Sequence, residues 1–229
     1  MQISRRTFVG TGAAAIGALT ATSTPADAQL IYQHNDWKFA EFNALLKQPA
    51  RVKQLYHVRA IAEGGFLFSI KNSLNGLHFG FEIPADQIKI AVAAQGPANM
   101  LNFDDSMWEK YRFGEFLKLN DPLTNKPAVR NIYFAKQAVT STDPEDSKSI
   151  FQDTGIERLE TRGVKFLSCH NSNQVLAREL VEKNSLKISP EDLVKDLQTH
   201  TVPGVLVVPA MVAAITLLQS EGHYTYITI

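Results

Sequence analysis

The 229-residue sequence contains one cysteine, Cys169. A lone cysteine excludes an internal disulfide, a cysteine-rich zinc site and an iron–sulfur cluster. Such a thiol is either buried and inert, paired with another chain, or kept for chemistry. Charge of one sign is also lacking: 23 Lys and Arg balance 23 Asp and Glu, with no basic run or stripe. Nucleic-acid binding and electrostatic docking on a membrane surface are therefore not expected. Serine-elbow, Walker and zinc-hydrolase motifs are missing. The six histidines, at 34, 57, 78, 170, 200 and 223, show no metal-ligand spacing. The sequence thus predicts neither a cofactor nor a metal.

What is present begins with a leader. Ser4-Arg5-Arg6-Thr7-Phe8 precedes a mild apolar stretch from Gly10 to Ala21, and small residues end in Ala26-Asp27-Ala28. Paired arginines, a short apolar core and an A-x-A site are the parts of a cleavable twin-arginine signal peptide. Residues 1–28 are the expected leader, carrying Arg5 and Arg6 and cut after Ala28. The mature chain is then expected in the periplasm, with no apolar run long enough to span a bilayer. Gly10-Thr11-Gly12-Ala13-Ala14-Ala15 fits a loose dinucleotide fingerprint, but no strand precedes it, so the required context fails.

At 45% hydrophobic and 20% charged, the chain can bury a core without staples. Residues 29–50 read as an arm with a short amphipathic helix, placing Trp37, Ala40, Leu45 and Leu46 on or near one face. Residues 51–229 read as one α/β domain. Val52 to Val58, Ile88 to Ala94, Val164 to Cys169, Val205 to Val208 and His223 to Ile229 are the candidate strands. Helices are expected from Gly64-Gly65 through Phe81, from Ala98 to Tyr111, from Ser149 to Arg162, from Asn171 to Asn184, after Ser189-Pro190 to Thr199, and from Met211 to Glu221. The fourth should turn Val175, Leu176, Leu180 and Val181 inward, with Asn171 or Ser172 as its cap. Ser189, followed by proline and two acids, is a strong helix start. Strands alternating with helices imply a three-layer α/β fold, a mostly parallel sheet with helices on both faces. The pattern breaks between 112 and 148, read as an insertion with Val129 to Phe134 as a possible short strand.

In an open parallel sheet, ligands bind beyond the carboxyl ends of the strands. That rule selects Arg59 to Gly65, Gln95 to Asn99, Cys169 to Asn171, and Pro209 to Met211. Cys169 closes a strand and precedes a helix, whose amino end favours the thiolate, the form that attacks sulfur. The opposing reading is a cysteine that only fills space, as many buried ones do. A Cys169–His170 dyad is disfavoured because neighbouring strand residues face opposite sides. His57 and His170 both lie on strands or strand ends, where they could approach. Arg59 and Arg130 could bind an anionic sulfur compound, although single arginines more often serve surface pairs. Asp104, Asp105 and Glu109 read as a solvated helix face.

Three segments carry a family resemblance. Gly163-Val164-Lys165-Phe166-Leu167-Ser168-Cys169-His170-Asn171-Ser172 resembles the strand–cysteine–helix segment of DsrE/DsrF-like sulfur-relay proteins. The tail is similar too, from Val207-Val208-Pro209-Ala210-Met211 through Gly222-His223-Tyr224-Thr225-Tyr226. Leu74-Asn75-Gly76-Leu77 with Ile88-Lys89-Ile90-Ala91-Val92 matches the family's first half. The resemblance implies a small α/β homo-oligomer, a trimer or hexamer, with sulfur donor and acceptor proteins as partners. It also implies persulfide chemistry on Cys169, at most that of a sulfur carrier or sulfurtransferase. Two positions depart from the family pattern: His170 replaces a small residue, and Gln95 stands where many relatives have histidine. The residues expected around a ligand are Arg59, Gln95, Gly96, His170, Asn171 and Pro209. Two functions stay open: sulfane-sulfur transfer through Cys169, or a non-catalytic ligand-binding or assembly module that buries an inert cysteine.

Overall fold

The computed structural model describes residues 37–229. The expected leader, with Arg5, Arg6 and Ala28, and the first part of the arm lie outside the described residues. Five strands form one sheet, all parallel: β1 Val52–Val58, β2 Ile88–Ala94, β3 Val164–Cys169, β4 Leu206–Val208 and β5 Thr225–Thr228. Their order across the sheet is β4-β3-β2-β1-β5. The central strand β2 is buried at every residue but one, as a strand covered on both faces must be. Cys169 pairs with Val208, and Tyr226 with Leu55.

Eight α-helices accompany the sheet among the described residues: α1 Phe39–Lys47, α2 Gly65–Asn75, α3 Asp105–Lys110, α4 Phe113–Leu117, α5 Ile156–Thr161, α6 His170–Lys183, α7 Pro190–Thr199 and α8 Met211–Ser220. Strand alternation divides the interior in two. One core joins Tyr56, Val58, Val92 and Phe166 to Phe66 and Ile70 of α2, Trp108 of α3, Leu180 of α6 and Leu197 of α7. The other joins Leu55, Ala93, Leu167 and Cys169 to Leu45 and Leu46 of α1 and to Ala214 and Leu218 of α8. The fold is therefore a three-layer α/β sandwich, as the alternating pattern predicts.

This wrapping fixes where the chain changes sides. β3 runs into α6 on the first face, whereas its neighbour β4 runs into α8 on the second. The topological switch point thus lies between the carboxyl ends of β3 and β4, where Cys169 and Val208 stand side by side.

Several expected elements differ, each for a local reason. Ala98 to Tyr111 is not one helix. Gly96–Asn102 forms tight 3₁₀ turns, which let Asn99 and Asn102 turn inward, and Asp104 then caps α3 by accepting from the Ser106 and Met107 amides. Asp104 and Asp105 are accordingly engaged, Asp105 accepting from the Asn131 amide at 2.8 Å. The helix expected from Ser149 begins only at Ile156, because buried Asp153 closes a turn by accepting from Gly155 N (2.8 Å) and Gln137 N (2.9 Å). Val129 to Phe134 is not a strand. Asn131 directs its side chain to the Leu101 and Phe103 carbonyls instead. Val175 points outward while Leu176, Ala177 and Leu180 are buried, a shift of one position in helical phase. Phe81 is exposed because the wider turn Gly76–Gly80 rotates the chain after α2. On α1 the buried residues are Phe42, Leu45 and Leu46, and Ala40 faces solvent.

The insertion is anchored in the first core rather than hung on the surface. Phe113 is fully buried, with edge contacts to Trp108 and Phe103. Gly114 lies so close to the Ala128 backbone that any side chain would collide with it. Among the described residues no helix is long and apolar enough to cross a membrane.

Candidate functional site

The carboxyl edge of the sheet gathers the four segments that sequence reasoning selected, and it divides them into two environments. At the β3 end, Cys169 is 1% exposed. Its side chain belongs to the second core, beside residues such as Phe42, Leu206, Val208 and Met211. The sulfur is nevertheless not in a purely apolar setting. Sγ accepts from the Ser172 amide in the first turn of α6 and from the Met211 amide at the start of α8, both at 3.4 Å. The cap of α6 is thus Cys169 itself, not Asn171 or Ser172 as expected. The reason is the switch point: two helices start next to one strand end, and their orphan amides converge on the side chain between them.

The Cys169 backbone is held as firmly. Buried Asn99 accepts from Cys169 N at 2.8 Å, and its amide group donates to Asn173 Oδ1 and, at 3.5 Å, to the Cys169 carbonyl. Asn102 donates to Asn99 Oδ1 at 3.3 Å and to the Leu167 carbonyl at 3.2 Å. Asn99 ends one of the segments selected after a strand, but neither it nor Asn102 is among the residues expected at the site. Their signal was present but unread: two asparagines three apart in an otherwise apolar segment after a buried strand.

At the β1 and β2 ends lies a cleft of about 530 Å³. It is lined by Arg59, Gln95, Gly96 and Asn171, four of the six expected ligand residues, together with Ser172, Val175 and Glu179. Gly96 adopts φ +57°, a left-handed conformation that favours glycine. That geometry aims its N–H at Ser172 Oγ, 3.2 Å away. Ser172 therefore stands between the two environments. Its hydroxyl closes the cleft wall towards β2, and its amide faces the sulfur on the other side. Cys169 does not line this cleft.

A hydrogen-bonded chain backs the cleft. His57 Nε2 lies 2.9 Å from Gln95 Oε1, and His57 Nδ1 lies 2.7 Å from the Tyr226 hydroxyl. These three residues come from β1, the end of β2, and β5. His57 and Tyr226 were not among the expected site residues, because only strand order brings β5 beside β1.

The remaining candidates go elsewhere. His170 is buried, 2.8 Å from Gln198 through Nδ1 and edge-on to Trp37 with ring centroids 5.4 Å apart. Burial pushes its imidazole down to about 4. It lines neither cleft, and its partners differ from those of His57, so the two histidines do not form a shared site. Pro209 lines a separate, mostly apolar groove of about 250 Å³ between α1 and α8, with Trp37, Phe42, Leu46 and Val208. Its carbonyl accepts from Asn171 N at 3.3 Å. Arg130 is taken by Asp121, at 2.6 and 3.1 Å, which holds that carboxyl below the usual range.

Among the described residues no group of three His, Cys, Asp or Glu is placed to hold a metal ion. In comparison with known proteins, the chain matches no family model, no curated protein and no solved structure.

Proposed function

We propose that this is an exported DsrE-like α/β protein that binds a small ligand non-covalently in the cleft at the β1 and β2 ends, with Cys169 in a structural role. The proposal of family and export rests on the sequence resemblance and the twin-arginine leader. The observation that carries the function is convergence. Arg59, Gln95, Gly96 and Asn171, taken from three separate strand ends, line one cleft of about 530 Å³, a volume suited to a small molecule. Cys169, by contrast, is sealed at 1% exposure. A thiol that cannot meet a donor cannot exchange sulfur with it.

The test is a titration of the ¹⁵N-labelled protein with thiosulfate, benzoate, nicotinamide and glucose, followed by NMR. Shifts clustered at Arg59, Gln95, Gly96 and Asn171 are expected from at least one probe. If no probe perturbs the cleft, the binding reading is abandoned.

A second reading, sulfane-sulfur transfer through Cys169, is favoured by one specific observation. Two helix-start amides point at Sγ and, among the described residues, no acceptor does, a donor set suited to a sulfur that carries negative charge. It requires the sulfur to become accessible, by motion of α1 or α8. Iodoacetamide distinguishes the two readings. The binding reading expects alkylation of Cys169 to be slow until denaturation. Rapid alkylation of the native protein, with a single-sulfur adduct from a persulfide donor that Cys169→Ser lacks, would establish the relay instead.

A further inference from the structure

We infer that the ligand of the cleft is an organic oxyanion, selected by the Gln95 side-chain amide, which His57 and Tyr226 orient; this rests on the binding reading above. With Oε1 rather than Nε2 of Gln95 placed 2.9 Å from His57 Nε2, the amide oxygen is the acceptor and this ring nitrogen is assigned the proton. In the tautomer with its proton on Nε2, His57 Nδ1 is an acceptor. It receives the Tyr226 hydroxyl proton across 2.7 Å. All the protons of the chain therefore run from β5 through β1 towards Gln95 Oε1. Gln95 Oε1 thus has one of its two lone pairs engaged by His57, while its NH₂ group makes no hydrogen bond among the described residues.

The other lining groups point the same way. Arg59 makes no hydrogen bond or ion pair among the described residues, so its guanidinium charge is uncommitted. Glu179 is already paired with Lys183 at 3.5 Å. The amides that might otherwise bind an anion are engaged: Gly96 N by Ser172 Oγ, Asn171 N by the Pro209 carbonyl, and Ser172 N by Cys169 Sγ. The side-chain donors left for a ligand are thus at Gln95, Arg59 and the Ser172 hydroxyl, with Asn171 able to act in either sense and Glu179, held by Lys183, the one anionic group of the lining. That set complements a group rich in acceptors and negatively charged. The cleft is larger than an inorganic oxyanion, and its outer wall is apolar, with Val175 half exposed beside Pro97 and Leu176. An anionic head at Arg59 and Gln95 with a small apolar body against Val175 satisfies both parts.

Benzenesulfonate and its uncharged analogue methyl phenyl sulfone separate charge from shape. Each is titrated into the ¹⁵N-labelled full chain, with the Gln95 side-chain amide and the Arg59 Nε–H as reporters. Benzenesulfonate is expected to shift both and the sulfone neither. Gln95→Glu, which replaces the donor by a like charge, should weaken benzenesulfonate binding by about tenfold or more. His57→Phe keeps an aromatic ring, slightly larger, and removes the Nε2 proton; it should weaken binding several-fold and move the Gln95 amide resonances in the free protein. If the Gln95 resonances of the free protein do not move in His57→Phe, the orienting role is overturned. If the sulfone shifts the reporters as strongly as benzenesulfonate, the oxyanion assignment is overturned while the cleft stands as a binding site. If neither does, but nicotinamide or glucose shifts them, the same conclusion holds. Silence from every probe overturns both.

Discussion

The two ends of the sheet's carboxyl edge are built from the same ingredients and reach opposite outcomes. At the β1 and β2 end, Gly96 takes a left-handed turn, the chain folds away in 3₁₀ turns, and a cleft is left open between Arg59 and α6. At the β3 and β4 end, two helices begin side by side and α1 packs over the second face, so the strand ends are covered. The first end presents donors with no partner of their own. The second turns its donors onto a sulfur that belongs to the protein. The lesson concerns the switch-point rule. It locates where a crevice can form, but whether one does depends on what the starting helices find between them. Here they find Cys169, which occupies the place a ligand would take.

The largest effect expected from breaking this contrast is at Asn99. Asn99→Leu puts an apolar side chain of similar size in place of the carboxamide, which strips Cys169 N and Asn173 Oδ1 of their partner and leaves Asn102 with the Leu167 carbonyl alone. Unsatisfied buried groups cost about 1–3 kcal/mol each, so a loss of about 4 kcal/mol is expected in urea unfolding. Iodoacetamide should also reach native Cys169 faster, because the strand end it occupies is no longer pinned. Unchanged stability would mean that the sealed end is held by apolar packing alone.

This asparagine also illustrates what could be read in advance. The strands at β1, β2 and β3 were legible to the residue: β2 and β3 are mostly apolar runs of strand length, and β1 mixes Val52, Leu55, Tyr56 and Val58 with polar residues. The α7 start at Ser189 was equally plain, with its capping hydroxyl and first-turn proline. Of the site, Arg59, Gln95, Gly96 and Asn171 followed from position after a strand. The rest depended on relations between distant segments that no local pattern carries. Tyr226 reaches His57 only because β5 returns to the far edge beside β1. The Met211 amide reaches the sulfur only because β4 neighbours β3. Burial of Cys169 depends on α1, whose face was read correctly at Leu45 and Leu46 but with Ala40 in the place of Phe42. The short α5 and the absent strand near Asn131 were set by side-chain bonds to backbone, which compete with regular structure at Asp and Asn.

A middle-sized effect should appear with pH. His170 sits at the sealed end, its folded-state value lowered to about 4 by burial from an ordinary 6.5. Below pH 6.5 the unfolded chain binds a proton that the folded chain refuses, so His170 supports the fold above that pH and loses this contribution as pH falls towards 4. At pH 5 the loss is about 2 kcal/mol. Glu160 opposes it. Burial raises its carboxyl to about 7 from 4.5, so its contribution is present below 4.5 and is lost as pH rises through 7. The wild-type profile mixes both signs, and the informative quantity is a difference. Between pH 7 and 5 the advantage of wild type over His170→Gln should shrink by about 2 kcal/mol, and its advantage over Glu160→Gln should grow. A pH-independent gap for His170→Gln would show that its ring is hydrated in the native state.

The smallest effect is the one that makes the others interpretable. Ser189 caps α7, its Oγ accepting from Asp192 N at 3.1 Å, away from both ends of the carboxyl edge. Ser189→Ala should cost about 1 kcal/mol, the usual value for a lost N-cap. Because α7 packs on α6 in the first core, this loss weakens the fold without touching the groups that hold Cys169 or orient Gln95. Alkylation of native Cys169 and binding of benzenesulfonate should therefore match wild type. If alkylation instead accelerates as much as in Asn99→Leu, once the difference in stability is allowed for, then the sulfur is reached through global unfolding. The contrast between an open and a sealed end would then reduce to a single stability. If only Asn99→Leu accelerates it, the sealed end opens locally, and the asparagine rather than the fold as a whole keeps the thiol from solvent.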